Sequence, residues 1–488
     1  MSKAVQRNSE DVDRHPGLFI SGQWRTGSRK GRIDVIDPAT GSALGSVADA
    51  GADDAIAAVE AAHNAGAPWA ATPARQRSEI LRKCFELMMR DADALARIIA
   101  LENGKALKDA RGEVAYAAEF FRWFSEEGVR VRGDLGTAPS GNNQILVQYQ
   151  PIGVSVLITP WNFPAAMATR KIAPALAAGC TCVLKPATAT PLTAYAVARI
   201  LAEAGVPDGV VNVLTSSTTS EVVNAMLEDP RVRKLSFTGS TEVGRVLLRK
   251  AADQVIHSSM ELGGNAPFLV FEDADIEQAV QGAMIAKMRN GGEACTAANR
   301  FLVQRPVAEA FTRRLTEAMS ALKVGPGIEA DTDCGPLVDR AAVDKVVELV
   351  EDAKARGAQV RCGGRQPDDA GCYYLPTVLD NVPTDAKMFS EEIFGPVAPV
   401  YVFDTEEEGV RMANDTEYGL IAYLYTGDVG RGMRVSTALE AGMIALNRGL
   451  VSDPAAPFGG VKQSGLGREG AQHGILEFME AKYIATSW

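Results

Sequence analysis

Histidine is scarce in this sequence. There are four, His15, His63, His257 and His473, and none shares a stretch with another ligand type. That scarcity argues against a zinc centre, which draws on clustered His and Cys ligands, and leaves no partner for a Cys–His dyad. Cysteine is also thin: the 7 residues are an odd number, scattered from Cys84 to Cys372, with no CxxC pair. This excludes a disulfide framework and fits a reducing compartment. No apolar run approaches a membrane span. The polar opening from Met1 to Gly17 has no apolar h-region of a secretory signal. A net charge of -11 weighs against nucleic acid or an anionic membrane as the main partner. These absences leave a cytoplasmic, enzyme-sized protein with no metal site.

The 488 residues allow two to four domains. Residues 1 to about 16 lack apolar anchors and are expected to be disordered. Helical spacing is read near Asp53 to Ala65, from about Ala74, and over Glu113 to Glu127. Gln144-Ile145-Leu146-Val147-Gln148-Tyr149 reads as an exposed hairpin or arm, the kind of strand that invites pairing with another chain. From Gly153 apolar strands alternate with helices: Val154 to Ile158, Thr181 to Leu184, Val210 to Leu214 and Lys234 to Phe237. A second series follows Gly264, with Phe268 to Phe271, Phe301 to Val303, Val400 to Phe403, Tyr423 to Tyr425 and Met443 to Leu446. Continuous apolar strands separated by helices mean a parallel, doubly wound α/β sheet.

Several motifs carry chemistry. Arg289-Asn290-Gly291-Gly292-Glu293-Ala294-Cys295 sets a thiol directly after a Gly-Gly turn. Such a cysteine is either an inert buried residue or a nucleophile that substrate and cofactor can both approach. Gly465-Leu466-Gly467-Arg468-Glu469-Gly470 has GxGxxG spacing, but it follows a turn and opens no βαβ unit, so it reads as a glycine-rich loop. Phe237-Thr238-Gly239-Ser240-Thr241 lies between a predicted strand and helix, where an anion would be favoured; an ordinary Ser N-cap is the alternative. Glu261, before Gly263-Gly264, is a candidate general base or a salt-bridged strand end.

Taken together these stretches resemble the aldehyde dehydrogenase superfamily, from about Gly22 to the C-terminus. The motifs occur in order: Thr159-Pro160-Trp161-Asn162-Phe163-Pro164, Lys185-Pro186, Phe237 to Thr241, Glu261-Leu262-Gly263-Gly264, the Cys295 loop, Glu391-Glu392-Ile393-Phe394-Gly395-Pro396-Val397, and Pro457-Phe458-Gly459-Gly460. The resemblance implies a Rossmann-like cofactor domain (residues 1–130 and 152–262), a catalytic domain (263–470) and a β oligomerisation arm (131–151 and 471–488). It implies homodimers or homotetramers. It makes Cys295 the nucleophile, Asn162 the oxyanion donor with the Cys295 N–H, and Glu261 the base that activates water. Lys185 would contact the adenosine ribose, Ser240 the pyrophosphate and Glu392 the nicotinamide ribose, with Phe394 packing beside the ring and Trp161 near the site. Where NAD-preferring members carry a glutamate, this chain has Thr188, so either NADP or NAD is expected as cofactor, with NADP favoured.

Within the superfamily the chain is most similar to succinate-semialdehyde dehydrogenases. Arg170 and Arg289 match the two arginines that bind the substrate carboxylate there, and Ser452 is placed at the matching serine. The expected reaction is NAD(P)-dependent oxidation of succinate semialdehyde to succinate. Glutarate semialdehyde or another aliphatic aldehyde is the alternative, and a catalytically silent binding or structural protein is the alternative of another class. Two departures stand out. Glu293 replaces the usual Gln and would raise the thiol pKa if it faced the sulfur; it is expected to face away. Thr296-Ala297-Ala298 holds no second cysteine, so no local disulfide lock is expected.

Overall fold

A computed structural model describes residues 15–367 and 371–487. The expected disorder of the first residues lies outside this range, apart from the last two positions. The first sheet has eight strands, in the order Gly465–Leu466, His257–Glu261, Val232–Thr238, Val154–Ile158, Thr181–Lys185, Val211–Val213, Leu18–Ile20 and Gln23–Arg25. Its five central strands are parallel. Numbered along the chain they run 3-2-1-4-5, so the winding reverses between Val154–Ile158 and Val232–Thr238. Ligands of open α/β sheets bind beyond the carboxyl ends of the strands at such a reversal.

The apolar runs explain the layering. Val154, Val156 and Ile158 pack into one core, while Leu157 faces the other. A strand buried on both faces needs helices on both, and the chain supplies them. One is Pro164–Ala178, which starts with Pro at its first position and stops at Gly179 in the left-handed region (φ 95°). The second sheet has seven strands, ordered Gln359–Cys362, Thr377–Asp380, Val397–Phe403, Ala298–Gln304, Ala266–Val270, Ile421–Tyr425 and Met443–Leu446. All but the first strand run parallel. A third sheet pairs Met479–Thr486 with Gln144–Pro151, and the latter with Asp134–Thr137.

Three features differ from the sequence expectation. Gly465–Leu466 is not loop but a short antiparallel edge strand, with Leu466 opposite Met260 and Gly465 opposite Glu261. Ala471–Leu476 forms a short helix before the C-terminal strand. Finally, a helix over Ala92–Asn103 went unread, and the next begins at Leu107 rather than near Glu113. Among the described residues no helix is long and apolar enough to cross a membrane.

Candidate active site

Cys295 sits between the two large sheets on a loop with little freedom. Helix Ile276–Met288 gives way to a 3-10 turn, Arg289–Gly292, in which Asn290, Gly291 and Gly292 all have positive φ (57°, 60° and 82°). Gly and Asn are the residues that visit this region routinely. At Gly292 only glycine fits, since a Cβ would lie 2.2 Å from Gly395 O. The Tyr423 hydroxyl donates to Thr296 O at 2.8 Å, and a Cβ on Gly264 would lie 2.6 Å from Cys295 O. The thiol is thereby held from both flanks.

Asn162 and Glu261 reach this loop from the first sheet. The side-chain amide of Asn162 donates to Glu293 O at 3.1 Å. An amide carries two N–H groups, so a second donor remains. Among the described residues, Asn162 Oδ1 and Glu261 Oε2 are buried without a hydrogen-bond partner. Burial, then the nearby Glu469 carboxylate, raises the Glu261 pKa well above the usual range. Burial also works against ionised Glu469, but Lys171 and Arg170 hold its pKa below the ordinary value. Glu469 accepts from Lys171 Nζ at 2.6 Å and from Arg170 at 3.3 Å, and Lys171 donates onward to Ser236 Oγ at 2.8 Å. Of two neighbouring buried carboxylates, Glu469 is the easier to ionise and Glu261 the harder. This separation marks acid–base sites.

Burial pushes the Cys295 thiol up to about 12; Arg170 and Arg289 oppose the shift, while Glu392 and Glu261 reinforce it. Glu293 is not among these influences. Its carboxyl oxygen accepts from Val338 N–H at 3.1 Å.

The two arginines differ. Arg170 is 2% exposed. It donates to Tyr116 Oη at 2.7 Å, lies 4.1 Å from the Phe458 ring and 5.3 Å from the Phe120 ring, and is shared with Glu469. Arg289 is half-buried, with its guanidinium 5.1 Å from the Phe163 ring. Ser452 is half-buried on the loop leading to Phe458, and among the described residues no hydrogen bond joins it to either arginine.

The predicted cofactor residues gather at the winding reversal. Ser240 caps helix Thr241–Asp253, accepting from Val243 N–H at 3.4 Å. Lys185 ends its strand almost fully buried, and desolvation lowers its pKa to about 8. Among the described residues no carboxylate pairs with it. Thr188 is half-buried just beyond. Trp161 and Phe394 meet edge-on at 5.4 Å, with Phe394 at φ 55°. Glu392 accepts from Gly264 N–H at 3.2 Å, and burial raises its pKa to about 7. A Cβ on Gly263 would sit 3.2 Å from Glu392 and 3.4 Å from Thr241, so Glu392 lies close to the start of the Ser240 helix. An unpaired buried ammonium, a capped helix N-terminus and a carboxylate acceptor suit a dinucleotide, with its anionic phosphates and ribose hydroxyls. Among the described residues no His/Cys/Asp/Glu cluster could hold a metal ion.

Sequence reading missed the stretch 102–113. Asn103 donates to Trp161 O at 3.2 Å, Lys105 to Asn162 O at 2.6 Å, and Glu113 accepts from Ala165 and Ala166. One signal was present. Gly104, at φ 93°, closes a helix and is the glycine that such ends favour.

Comparison with known proteins bears on this geometry. Residues 24–484 match the model of the aldehyde dehydrogenase family. A succinate-semialdehyde dehydrogenase of Paenarthrobacter nicotinovorans is 55% identical, covering 91% of this chain and 99% of its own. A glutarate-semialdehyde dehydrogenase of Pseudomonas putida is 48% identical, over 96% of this chain and 97% of its own. The crystal structure of an E. coli NADP-dependent enzyme superposes with a TM-score of 0.96 at 49% identity, covering 97% of this chain and 98% of its own.

Proposed function

The chain belongs to the aldehyde dehydrogenase family, and we propose that it oxidises succinate semialdehyde to succinate with NADP or NAD. It is an oxidoreductase, and its substrate is a small aldehyde. The observation that carries the substrate is the pair of cations beside the nucleophile: Arg170 and Arg289 both act on the Cys295 thiol. An aldehyde bearing a carboxylate at its far end suits such a pocket, since guanidinium forks pair carboxylates bidentately.

The chemistry follows from the residues in turn. Cys295 gives its proton to the ionised form of Glu261, which passes it to solvent before the hydrolytic step; the surrounding burial resists this loss and the arginines favour it. The thiolate adds to the aldehyde carbonyl to form a thiohemiacetal. The oxygen that becomes anionic is held by the free N–H of the Asn162 amide, and one such donor is worth about 3 kcal/mol. A nicotinamide held beside Glu392, Phe394 and Trp161 would supply the hydride acceptor that a Cys295 thioester requires. Glu261 then takes a proton from the water that hydrolyses it. Glu469 and Lys171, bonded to each other beside Glu261, keep a fixed charge pattern while that proton is held.

Lys185, Thr188 and Ser240 would hold the adenosine and phosphate end of the cofactor, and Glu392, Phe394 and Trp161 the nicotinamide end. Threonine at 188 leaves room for a 2′-phosphate, which supports NADP as the favoured form. The third sheet, with Gln144–Pro151 at its centre, supports a homodimer or homotetramer, and the cysteine pattern supports a cytoplasmic enzyme. The experiment is a substrate panel: succinate semialdehyde, glutarate semialdehyde and butanal, each with NADP and NAD. The highest kcat/KM is expected for succinate semialdehyde with NADP. One methylene discriminates by about 1–3 kcal/mol, so a higher value for glutarate semialdehyde would reassign the substrate, and a higher value for butanal would remove the anion reading.

A further inference from the structure

The side chains of Lys105 and Asn290, neither touching a reacting atom, converge on the backbone of Asn162. Its carbonyl oxygen accepts from Lys105 Nζ at 2.6 Å and from Asn290 Nδ2 at 3.0 Å. Lys105 is buried and pairs with Glu113 Oε2 at 2.5 Å. The other carboxylate oxygen of Glu113 accepts from Ala165 N–H at 2.8 Å and Ala166 N–H at 3.3 Å, in the first turn of helix Pro164–Ala178. Lys105 also lies 4.1 Å from the Phe163 ring. A single ion pair therefore grips residues 162, 163, 165 and 166.

The pair itself stands on firm ground. Gly104 is wedged so closely that a Cβ would meet Pro38 at 2.8 Å and Pro336 at 2.9 Å. Leu107 N–H donates to Gly327 O at 2.8 Å. Both charges are fully desolvated, and such a pair returns little net stability, because burying two ions costs about what their attraction gains. Yet among the described residues every hydrogen bond of the Lys105 ammonium and the Glu113 carboxylate goes either to the other member of the pair or to residues 162–166.

We propose that Lys105 and Glu113 are positioning residues that fix the Asn162 peptide and the helix start after it, and so aim the Asn162 side-chain amide at the oxyanion formed on Cys295. The inference rests on Asn162 being the oxyanion donor. The direct reach of the pair is to backbone, so its effect on rate runs entirely through where the amide points. A misplacement of about 1 Å near a reacting centre can cost on the order of 100-fold.

The test is a double-mutant cycle read in kcat. Asn162→Ala alone is expected to lose about 100-fold or more; a full rate in that variant removes the donor reading and this inference with it. Lys105→Met/Glu113→Gln removes both charges together and keeps an acceptor for the helix N–H groups. In the otherwise unchanged enzyme it is expected to lose about 10- to 100-fold in kcat, with the KM for the nucleotide unchanged. In the Asn162→Ala background the same two substitutions should cost less than about twofold. An equal loss in both backgrounds marks a merely structural pair and overturns the proposal, as does an undiminished rate in the first background. Glu113→Gln, which preserves size, goes through the same cycle, so that a folding failure of the double variant still leaves a decisive result.

Discussion

Replacing Arg289 by Ala separates anion recognition from the rest of the chemistry. Arg289 is half-buried, rests near the Phe163 ring and acts on the Cys295 thiol. Arg170 is a poorer probe, because removing it also strips Glu469 and Tyr116 of a partner. A hydrogen bond to a charged group is worth about 1.5–3 kcal/mol. The partial exposure of Arg289 places its bond to a substrate carboxylate in the lower part of that range, about 1.5–2 kcal/mol. At 1.36 kcal/mol per tenfold, kcat/KM for succinate semialdehyde should fall roughly 10- to 30-fold. Butanal, which has no carboxylate, should lose only the smaller factor that comes from a harder-to-ionise thiol. The assay is the initial rate of nicotinamide reduction at saturating nucleotide, with both aldehydes on each enzyme. An unchanged ratio between them refutes the clamp, and equal losses assign Arg289 to thiol ionisation alone.

Three further expectations follow from the site. Glu261→Gln should release about one equivalent of reduced nucleotide and then stall, with the acyl group visible on Cys295 by intact mass, because hydrolysis loses its base; steady turnover at the wild-type rate would remove Glu261 from that role. Glu469→Gln takes away the like charge that favours protonated Glu261. Glu261 then ionises at lower pH, and the acid limb of acyl-enzyme hydrolysis in single turnovers should move to lower pH; a limb that stays put or moves up contradicts the coupling. Thr188→Glu should lower kcat/KM for NADP by about tenfold or more while sparing NAD, since a carboxylate there repels a 2′-phosphate; equal or better kcat/KM with NAD in the unaltered enzyme would defeat the preference.

Much of this was legible in the sequence where local pattern decides. The runs Val154 to Ile158 and Phe268 to Phe271 are apolar at every position or nearly so, and that is enough to declare a sheet covered on both faces. Cys295, Asn162 and Glu261 could be named because each stands in a short motif. Residues 92–113 were illegible for a physical reason. Lys105 and Glu113 look like the surface charges of an ordinary helix, and only burial between distant segments shows that they pair. Gly465–Leu466 failed in the same way: two residues become a strand only because Met260 and Glu261 lie alongside. The direction of Glu293 depended on Val338, 45 residues away, which no spacing rule reaches.

The shared position of Arg170 has a consequence for how the site handles protons. Its guanidinium already serves Glu469, and it senses Cys295 and Glu261 as well. A carboxylate arriving on Arg170 must divide that cation with Glu469, so anion binding weakens what keeps Glu469 ionised. By thermodynamic reciprocity, protonating Glu469 strengthens anion binding by the same factor. Ligand occupancy and proton occupancy are then two variables of a single equilibrium. The protons taken up when an unreactive dicarboxylate binds would measure the same coupling as the pH dependence of its affinity.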